Sequence, residues 1–284
     1  MEGYVATIGM FDGVHTGHRF VLQHVTAEAE RRGLLSMAVT FDHTLHREQV
    51  LTPLDTKLRL IRETGIHRVE VLAFTDALRQ MSARQFMQQV LGDRLGVRVL
   101  LTGYDNRFGH NRQEGFDDYV RYGQQLGMEV VSLPPAPSAG AGGAVSSSLI
   151  RQLLSEGRVD EASRCLGYPY AISGRVVHGQ HIGTGLGFPT ANLLPDMASQ
   201  LIPANGVYAV RSGQLKGMMN IGTRPTFGSH QRTLEVHFLH YHADLYDRPL
   251  TVEFVRRLRD EQPFDSVEAL KEQLQKDAIQ AEQI

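Results

Sequence analysis

The stretch GMFDGVHTGH, residues 9–18, joins a short apolar run to a helical pattern. Residues 4–9 are typical of a buried strand, and residues 18–32 carry apolar side chains on one helical face. Gly33 follows as a helix stop. A strand that leads straight into a helix is the first half of a βαβ unit. The stretch therefore predicts the carboxyl edge of the first strand of a parallel sheet, where such folds bind ligands.

Strand and helix patterns go on alternating as far as residue 133. Strands are predicted at residues 34–41, 69–74, 97–102 and 129–133, and helices at residues 55–64, 82–95 and 116–126. Ser82 is the expected N-cap of the second of these helices. This alternation favours an α/β fold with a doubly wound parallel sheet.

The pattern changes after the loop at residues 134–143, PPAPSAGAGG. Two short helices are predicted at residues 147–156 and 159–166, followed by strands at residues 170–178, 206–211, 217–221, 234–240 and 250–258. Close-spaced short strands favour a small antiparallel β-barrel, and residues 266–280 predict a C-terminal helix. We therefore expect two domains, residues 1–165 and 166–284.

The composition excludes several kinds of protein. The 284 residues include a single Cys, which excludes a disulfide framework and a thiolate zinc site. The formal net charge of −2 argues against a protein held on nucleic acid by phosphate contacts. No targeting segment is visible, and no apolar run reaches the roughly 18 residues that span a bilayer. We therefore expect a cytoplasmic protein with neither a nucleic-acid nor a membrane partner.

Lysine is scarce in this chain. It occurs only at residues 57, 216, 271 and 276 among 29 basic residues, and none of them completes the motif GxxxxGK[ST]. A Walker A loop is thereby excluded. We expect any ATP site to rest on backbone N–H groups, histidine and arginine rather than on lysine.

His15 and His18 are the first candidate catalytic pair. They stand three residues apart where the predicted helix begins, and Gly17 between them lets the backbone approach a ligand closely. A helix start offers unpaired N–H groups and a partial positive charge, so both imidazoles can face a bound anion. The chemistry that fits is displacement at a nucleotide α-phosphate, with charge stabilised on the phosphoryl oxygens. A metal site is the weaker alternative, since no third ligand lies nearby in the sequence.

Two further polar segments are expected at the same edge of the sheet. Ser147 and Arg151 open the helix after the loop, and they can hold phosphate there. A capped surface helix is the alternative for this pair. The segment GYDNRFG, residues 103–109, directly follows a predicted strand. Three polar loops at one edge make a binding site the better interpretation.

These segments carry a family resemblance. GMFDGVHTGH, GYDNRFG and SSSLIR resemble the adenylyltransferase half of the bifunctional riboflavin kinase/FAD synthetase family of bacteria. The resemblance implies a nucleotidyltransferase-like Rossmann domain that transfers AMP from ATP to FMN. It implies ATP contacts from Gly9, Phe11, Asp12, Gly13, His15, His18, Ser147 and Arg151. It also implies flavin and nucleotide contacts from Asp105, Arg107 and Phe108.

A second candidate site follows residue 178. The glycine-dense residues 179–192 lack the spacing GxGxxG and are broken by proline, so they are not a dinucleotide fingerprint. A plain flexible loop is the alternative. Thr190 and Asn192 are separated by one residue on an extended segment. Both side chains then point the same way and can position Mg²⁺ with nucleotide phosphates.

Glu235 lies on the polar side of the predicted strand at residues 234–240. A carboxylate there is either solvated or, inside a barrel mouth, placed to deprotonate a substrate hydroxyl. A local group of histidines is expected to be exposed or hydrogen-bonded rather than to bind a metal. These are His230, His237, His240 and His242.

The second half resembles the riboflavin kinase half of the same family, through GFPTAN, NGVYAV, NIGTRPTFG, LEVHFL and VEFVRRLRDEQPFDS in family order. The resemblance implies that Glu235 is the general base for the riboflavin 5′-hydroxyl and that Thr190 and Asn192 hold Mg²⁺. It implies ATP contacts from Gly183, Gly185, Gly187, Pro189, Thr190 and Asn192. It implies flavin loops that contain Arg224, Pro225, Thr226 and Arg259.

Together the two resemblances predict a bifunctional enzyme of FAD biosynthesis. The C-terminal domain would phosphorylate riboflavin to FMN, and the N-terminal domain would adenylylate FMN to FAD and release pyrophosphate. ATP is the expected co-substrate, Mg²⁺ the expected cofactor, and FMN and FAD are substrate and product. One alternative is a chain with a single active half, and another is a flavin- or nucleotide-binding regulatory protein without turnover. The presence of His15, His18 and Glu235 argues against both.

Overall fold

A computed structural model describes residues 3–42, 49–103, 106–134, 144–178, 187–226, 229–241 and 243–284 of the chain. The chain divides into two compact units, Met1–Ser146 and Ser147–Ile284. The two short helices predicted after the loop therefore belong to the second unit. The functional boundary at residue 165 stays a prediction.

The first unit is built on a five-stranded parallel sheet, which confirms the predicted α/β class. Its strands are β1 (Tyr4–Ile8), β2 (Leu35–Phe41), β3 (Arg68–Leu72), β4 (Val97–Gly103) and β5 (Glu129–Leu133). They stand in the order β3-β2-β1-β4-β5, and each neighbouring pair is parallel. The chain moves outward from β1 to β3 and then returns to the other side of β1. The carboxyl edge between β1 and β4 is therefore the switch point where such sheets bind ligands.

The helices of the first unit follow local capping rules. They are α1 (Thr16–Arg32), α2 (Leu54–Arg62), α3 (Asp76–Gln80), α4 (Ala83–Gln85), which continues as a π-helix (Phe86–Arg94), and α5 (Phe116–Leu126). α1 begins two residues before its predicted start because His15 caps it, and Gly33 ends it in the left-handed conformation. Ser82 caps α4 through a capping box, as predicted. α3 escapes sequence prediction because five residues are too few to show a period.

The second unit contains a closed six-stranded antiparallel barrel, also as predicted. Its strands are β6 (Ala171–Val177), β7 (Ala191–Pro195), β8 (Gly206–Ser212), β9 (Leu215–Thr226), β10 (Ser229–Phe238) and β11 (Pro249–Arg259). They close in the order β10-β7-β6-β11-β8-β9. β7 is absent from the predicted strands because its sequence, ANLLP, is short and ends in proline.

Helices flank the barrel in the sequence and cover one of its faces. α6 (Ser147–Ser155) and α7 (Val159–Leu166) precede it, and α8 (Val267–Glu282) follows it. An apolar cluster joins β8 and β9 to α8 through Val207, Ala209, Met218, Leu274, Ala278 and Ala281. The alternate residues of the same strands are buried inside the barrel, among them Tyr208, Val210, Met219 and Ile221. α8 therefore covers the outer face of β8 and β9.

Gly109 and Gly127 differ both in backbone conformation, with ψ of 168° and 26°, and in how closely other atoms pack against them. Both have positive φ, 89° and 69°. A Cβ on Gly109 would lie 2.6 Å from the backbone nitrogen of Ala83, whereas one on Gly127 would have no atom within 4 Å. We expect Gly127→Ala to lower the free energy of unfolding of the first unit by about 1 kcal/mol. Gly109→Ala should lower it by roughly 1–3 kcal/mol more, because overlap is added to strain. Denaturant unfolding of both variants checks this, and equal losses would contradict the packing explanation.

Candidate active sites

The first site is a tight loop between β1 and α1. Phe11 and Val14 have positive φ, 50° and 35°, on either side of Gly13 at 82°. A β-branched residue such as Val14 rarely adopts this conformation, so the loop stores backbone strain. The ring of Phe11 packs against Gly9, whose Cβ would lie 3.1 Å from the ring. The surrounding contacts therefore hold the loop in a shape that its residues do not favour locally.

His15 and His18 meet at the start of α1, as their spacing predicts. The Nδ1 atom of His15 accepts a hydrogen bond from the backbone N–H of His18 at 3.3 Å, which makes His15 the N-cap. The two imidazole rings stack with their centroids 3.6 Å apart. A Cβ on Gly17 would lie 3.2 Å from the His15 ring. Glycine at this position therefore lets the ring lie against the helix start.

Both histidines are held in the neutral form. Burial lowers the pKa of His15 to about 4. Burial, and then the positive charges of His15 and Lys57, lower the pKa of His18 well below its usual value. The Nδ1 atom of His18 is buried with no hydrogen-bond partner among the described residues. Because a buried polar atom without a partner is costly, this atom marks a place for a ligand.

Lys57 is the residue of this site that the sequence analysis missed. Its side chain is fully buried, and Nζ donates to the carbonyl oxygens of Met10 at 3.3 Å and Phe41 at 2.7 Å. Lys57 thus lies at the carboxyl ends of β1 and β2. Burial lowers its pKa to about 8, and the carboxylates of Asp12 and Asp42 oppose that shift. The structure therefore places a buried lysine beside the first candidate site.

The sequence did contain a signal for Lys57. Lys57, Leu60 and Ile61 occupy the buried face of α2 at helical spacing. A lysine in an otherwise apolar stripe points to a buried cation with partners, because lysine is almost never fully buried unless it is paired.

Asp12 ties the loop between β1 and α1 to the backbone of residues 51 and 52. Its carboxylate accepts hydrogen bonds from the N–H groups of Leu51 at 3.0 Å and Thr52 at 3.3 Å. The N–H of Gly13 donates to the Thr52 hydroxyl at 3.2 Å. Residues 51 and 52 are therefore clamped beside the loop that ends at His15.

The loop after β4 reaches the same edge of the sheet. Nδ2 of Asn106 donates to the carbonyl oxygen of Ile8 at 3.1 Å, which ties the loop to the end of β1. The ring of Phe108 stacks on Tyr119 at 4.1 Å, and the N–H of Phe108 donates to the Tyr119 hydroxyl. Arg107 packs directly against Gly115. Asp105 lies outside the described residues.

Ser147 and Arg151 lie one turn apart on α6, the first helix of the second compact unit. Both side chains are half-buried. Their contact with a phosphate bound at the start of α1 stays a prediction.

Glu235 in β10 is the centre of the second site. Leu234 and Val236 are buried, so the predicted alternation along this strand is confirmed. Cross-strand pairing puts Asn192 of β7 on one side of Glu235 and Asn220 of β9 on the other. These three side chains share one face of the barrel wall. It is the outer face, because Asn220 pairs with Val207 beneath α8. Of the two alternatives for Glu235, a place on the outer wall therefore fits better than one inside the barrel.

Two cavities lie beside this part of the wall. The larger, which we call the helix-side cavity, has a volume of about 320 Å³ and is lined by Glu235, Asn220, Arg259, Glu261, Phe264, Leu270 and Leu274, among others. The smaller, the tyrosine cavity, has a volume of about 250 Å³ and is lined by Tyr241, Tyr246, Ala191, Val236 and Phe238, among others. Thr190 lines both cavities.

The segment before β7 is fixed by His237. Its Nδ1 atom lies 2.8 Å from the carbonyl oxygen of Pro189, and its ring meets that of Phe188 edge-on at 5.3 Å. These contacts set the position of Thr190. Asn192 lies next to Glu235 rather than in the lining of either cavity. Gly187 has a φ of 85°, and Gly183 and Gly185 lie outside the described residues.

The remaining predicted residues are only partly described. Arg259 ends β11 and lines the helix-side cavity. Arg224, Pro225 and Thr226 end β9, and only their backbone is described. In the described ranges, no group of three side chains could hold a metal ion through His, Cys, Asp or Glu. His240 contacts Glu282 at 3.2 Å, whereas His242 and the side chain of His230 lie outside the description.

Comparison with known proteins identifies the family. Residues 1–149 match the FAD synthetase family model, and residues 166–284 match the riboflavin kinase (flavokinase) model. Bifunctional riboflavin kinase/FMN adenylyltransferases of Escherichia coli (strain K12) and Pseudomonas fluorescens are 38% and 40% identical to the chain. Each alignment covers 99% of this chain and 92% of the relative. The chain belongs to this bifunctional family.

The family assignment confirms both predicted activities. A riboflavin kinase/FMN adenylyltransferase uses ATP to convert riboflavin to FMN and then FMN to FAD, with the FAD synthetase region first and the flavokinase region second. Riboflavin, FMN and ATP are therefore substrates of the chain, and the flavin is carried through as substrate and product.

A solved structure has the same fold. A Streptococcus pneumoniae protein, named a macrolide-efflux protein, matches with a TM-score of 0.90 and 27% identity, over 99% of this chain and 94% of that one. The likeness thus includes the folds of both units. Within the ranges described for the present chain, none of the helices combines the length and apolar character needed to cross a membrane.

The neutral His15 gives the adenylyltransferase unit a characteristic response to acid. Its pKa is about 4 in the folded chain against an ordinary value of 6.5, so the unfolded chain binds more protons between these values. Stability therefore falls as the pH drops through this window, by up to about 1.4 kcal/mol per pH unit for one proton. We expect His15→Asn, which keeps a capping acceptor but cannot titrate, to flatten this part of the unfolding profile. His24→Asn, two turns further along α1, is the control, and an unchanged slope in His15→Asn would contradict the buried neutral form.

Proposed function

We propose that riboflavin is phosphorylated beside Thr190, between the helix-side cavity and the tyrosine cavity. The observation that carries this proposal is that Thr190 lines both cavities. Phosphoryl transfer requires the accepting hydroxyl and the γ-phosphate to be held together in line. Two cavities that share one wall residue supply that arrangement, with one substrate in each.

The linings suggest which substrate each cavity takes. The helix-side cavity combines apolar side chains of α8 with Glu235, which suits a flavin ring whose ribityl hydroxyl approaches a carboxylate. Glu235 then accepts the proton of the 5′-hydroxyl as that oxygen attacks the phosphorus. The tyrosine cavity offers the rings of Tyr241 and Tyr246, which suit the adenine of ATP.

Magnesium fits the oxygen donors at this junction. The hydroxyl of Thr190 and the amide oxygen of Asn192 are hard ligands of the kind that Mg²⁺ takes together with phosphates and water. Asn192 is the cross-strand neighbour of Glu235, which places this donor close to the proposed base. We infer that Thr190 and Asn192 hold the ion, which when bound neutralises phosphate charge. Gly183, Gly185, Gly187 and Pro189 would border the phosphates, and Arg224, Pro225, Thr226 and Arg259 the flavin.

Adenylyl transfer is proposed at the start of α1. There a phosphate oxygen of FMN attacks the α-phosphorus of ATP, and pyrophosphate leaves. His15, His18 and the first N–H groups of α1 donate to the phosphoryl oxygens, where negative charge builds up. Lys57 adds a positive charge that its two carbonyl partners keep in place.

The remaining predicted contacts surround this centre. Gly9, Phe11, Asp12 and Gly13 form the loop that precedes the histidines, and Asn106 ties the segment of Arg107 and Phe108 to the same sheet edge. We propose that Asp105, Arg107 and Phe108 contact FMN and the nucleotide. Ser147 and Arg151 are proposed to contact the ATP phosphates.

The two reactions are proposed to divide at residue 165. Residues 1–165 would carry out adenylyl transfer, and residues 166–284 riboflavin phosphorylation; the limits of the two family matches support this division. Both reactions use small substrates, so each site needs only local positive potential despite the net charge of −2. We propose that the enzyme works in the cytoplasm without a nucleic-acid or membrane partner.

Glu235→Gln tests the proposed base. We expect kcat for FMN formation to fall by a factor on the order of 10²–10⁴ because the amide cannot accept the hydroxyl proton. FAD formation from supplied FMN should continue at the wild-type rate. The assay incubates the protein with riboflavin, ATP and Mg²⁺ and resolves FMN from FAD by chromatography. Glu253→Gln on β11, whose side chain pairs with Arg211, is the control. Wild-type FMN formation by Glu235→Gln would rule out the base.

His18→Ala should have the opposite effect. We expect FAD formation from FMN to fall by a factor on the order of 10²–10³, since a donor to the developing charge is lost, while FMN formation from riboflavin is unchanged. His24→Ala on the same helix is the control, because in the described part of the chain the His24 side chain bonds to the carbonyl of Phe20 one turn earlier and packs against the Phe20 ring. If the folded His18→Ala protein lost both activities, the assignment of one site to each domain would fail.

A further inference from the structure

Arg259 is held in the wall of the helix-side cavity by a carboxylate on α8. The Nε atom of Arg259 donates to Oδ1 of Asp277 at 3.1 Å and Nη2 donates to Oδ2 at 2.8 Å, a two-pronged contact that fixes the plane of a guanidinium. The Nη1 atom donates to the carbonyl oxygen of Asp260 at 3.0 Å. Each nitrogen of the guanidinium therefore has a partner, and the group has one defined orientation.

Asp277 is buried behind this contact. Its side chain is 1% exposed, against 18% for Arg259. Its other neighbour is Gln273, one turn earlier on α8, whose Nε2 donates to Asp277 at 2.9 Å. A carboxylate this deeply buried is stable only when it is paired. Asp277 and Arg259 therefore hold each other in place.

The fixed guanidinium and a neighbouring ring form part of the cavity wall. The Cζ atom of Arg259 lies 5.6 Å from the ring centroid of Phe264, and both residues line the helix-side cavity. The carboxylate of Asp277 balances the charge of the guanidinium. Because Arg259 lies over the ring of Phe264, the two groups form one layered part of the wall. A guanidinium plane and an aromatic ring can each stack on a planar heteroaromatic ring.

The same cavity holds two other carboxylates, Glu235 and Glu261. A guanidinium released from Asp277 would be attracted to these groups, which would draw it away from Phe264. Its charge would also compete for the oxygen that is to accept the hydroxyl proton. Asp277 thus keeps Arg259 in the wall and leaves Glu235 available.

We propose that Asp277 is a positioning residue of the kinase site, which holds Arg259 and Phe264 as the wall that the isoalloxazine ring of riboflavin stacks against. This inference rests on the proposed placement of riboflavin in the helix-side cavity. Asp277 acts through Arg259 and does not touch the substrate.

Asp277→Asn in the full chain tests the role, since it removes the charge and keeps the size of the side chain. We expect the Kd and KM for riboflavin to rise on the order of tenfold, because the stacking wall is misplaced. The KM for ATP should stay within about twofold of wild type, and FAD formation from FMN should be unchanged. Quenching of riboflavin fluorescence measures the Kd. A merely structural role would lower the unfolding temperature without separating the two KM values.

Two variants serve as controls. Asp277→Glu keeps the charge and should restore most of the riboflavin affinity. Arg256→Gln removes another contact between β11 and α8, the hydrogen bond to the carbonyl of Gln280, and should leave riboflavin affinity at the wild-type value. If Asp277→Asn does not fold, Gln273→Leu becomes the deciding variant, because it removes the hydrogen bond to Asp277. The Kd for riboflavin should then rise about threefold. Wild-type riboflavin affinity in the deciding variant overturns the inference.

Arg259→Ala and Phe264→Ala separate this inference from the placement of riboflavin. If neither substitution changes riboflavin affinity, the flavin binds elsewhere and the proposed placement fails. If both weaken riboflavin binding while Asp277→Asn does not, the placement stands and the positioning role is overturned.

Discussion

The cost of burying a charge shapes both units, because a buried ion destabilises the fold unless every polar partner is in place. In the first unit the ammonium of Lys57 is fully buried and bonds to the carbonyl oxygens of Met10 and Phe41 at the ends of two strands. Asp12 is buried as well and directs its carboxylate at the backbone of residues 51 and 52. These contacts fix the loop that ends at His15, so the histidine pair depends on them.

In the second unit the buried charge is negative rather than positive, and it needs polar partners for the same reason. Asp277 is the buried ion, and Arg259 pairs with it across the contact between α8 and β11. The difference suits the ligand proposed for each site. A phosphate site gains from positive potential, and the buried lysine lies within reach of the helix start that attracts anions. A flavin ring is uncharged, and the cation beside the helix-side cavity is balanced by its own carboxylate.

Features set by neighbours in the sequence were predictable. Gly33 as a helix stop, Ser82 as a cap and the meeting of His15 with His18 all follow from local rules. Contacts between distant residues were not. Lys57 donates a hydrogen bond to the carbonyl oxygen of Met10, 47 residues earlier, and no pattern in the sequence around Lys57 indicates that partner. Asp277 and Arg259 are 18 residues apart on a helix and a strand, and their pairing depends on how α8 packs.

Glu235 shows a different limit of prediction from the sequence. Alternation along β10 correctly separated an apolar inner face from a polar outer face, but it could not show what covers the outer face. The usual rule takes the polar face as exposed, yet α8 covers part of the outer face and makes Val207, Ala209 and Met218 apolar there. Both faces of β8 and β9 then carry apolar residues, so the pattern loses its direction. The surroundings of Glu235 thus depend on the C-terminal helix, whose Leu270 and Leu274 line the same cavity and lie far from Glu235 in the sequence.

The stacked histidines explain why a chain so poor in lysine buries one at its first site. Two imidazolium ions at the observed centroid distance of 3.6 Å would repel each other, by about 5 kcal/mol at an effective dielectric constant near 20. The stack therefore excludes two charged rings, and burial, which lowers the pKa of each ring, favours the neutral form of both. Neutral rings bring no charge to a phosphate. The positive potential has to come from elsewhere, and Lys57 and the start of α1 provide it. In the proposed site the histidines act as neutral hydrogen-bond donors, so we expect phosphate binding near neutral pH not to depend on protonating them.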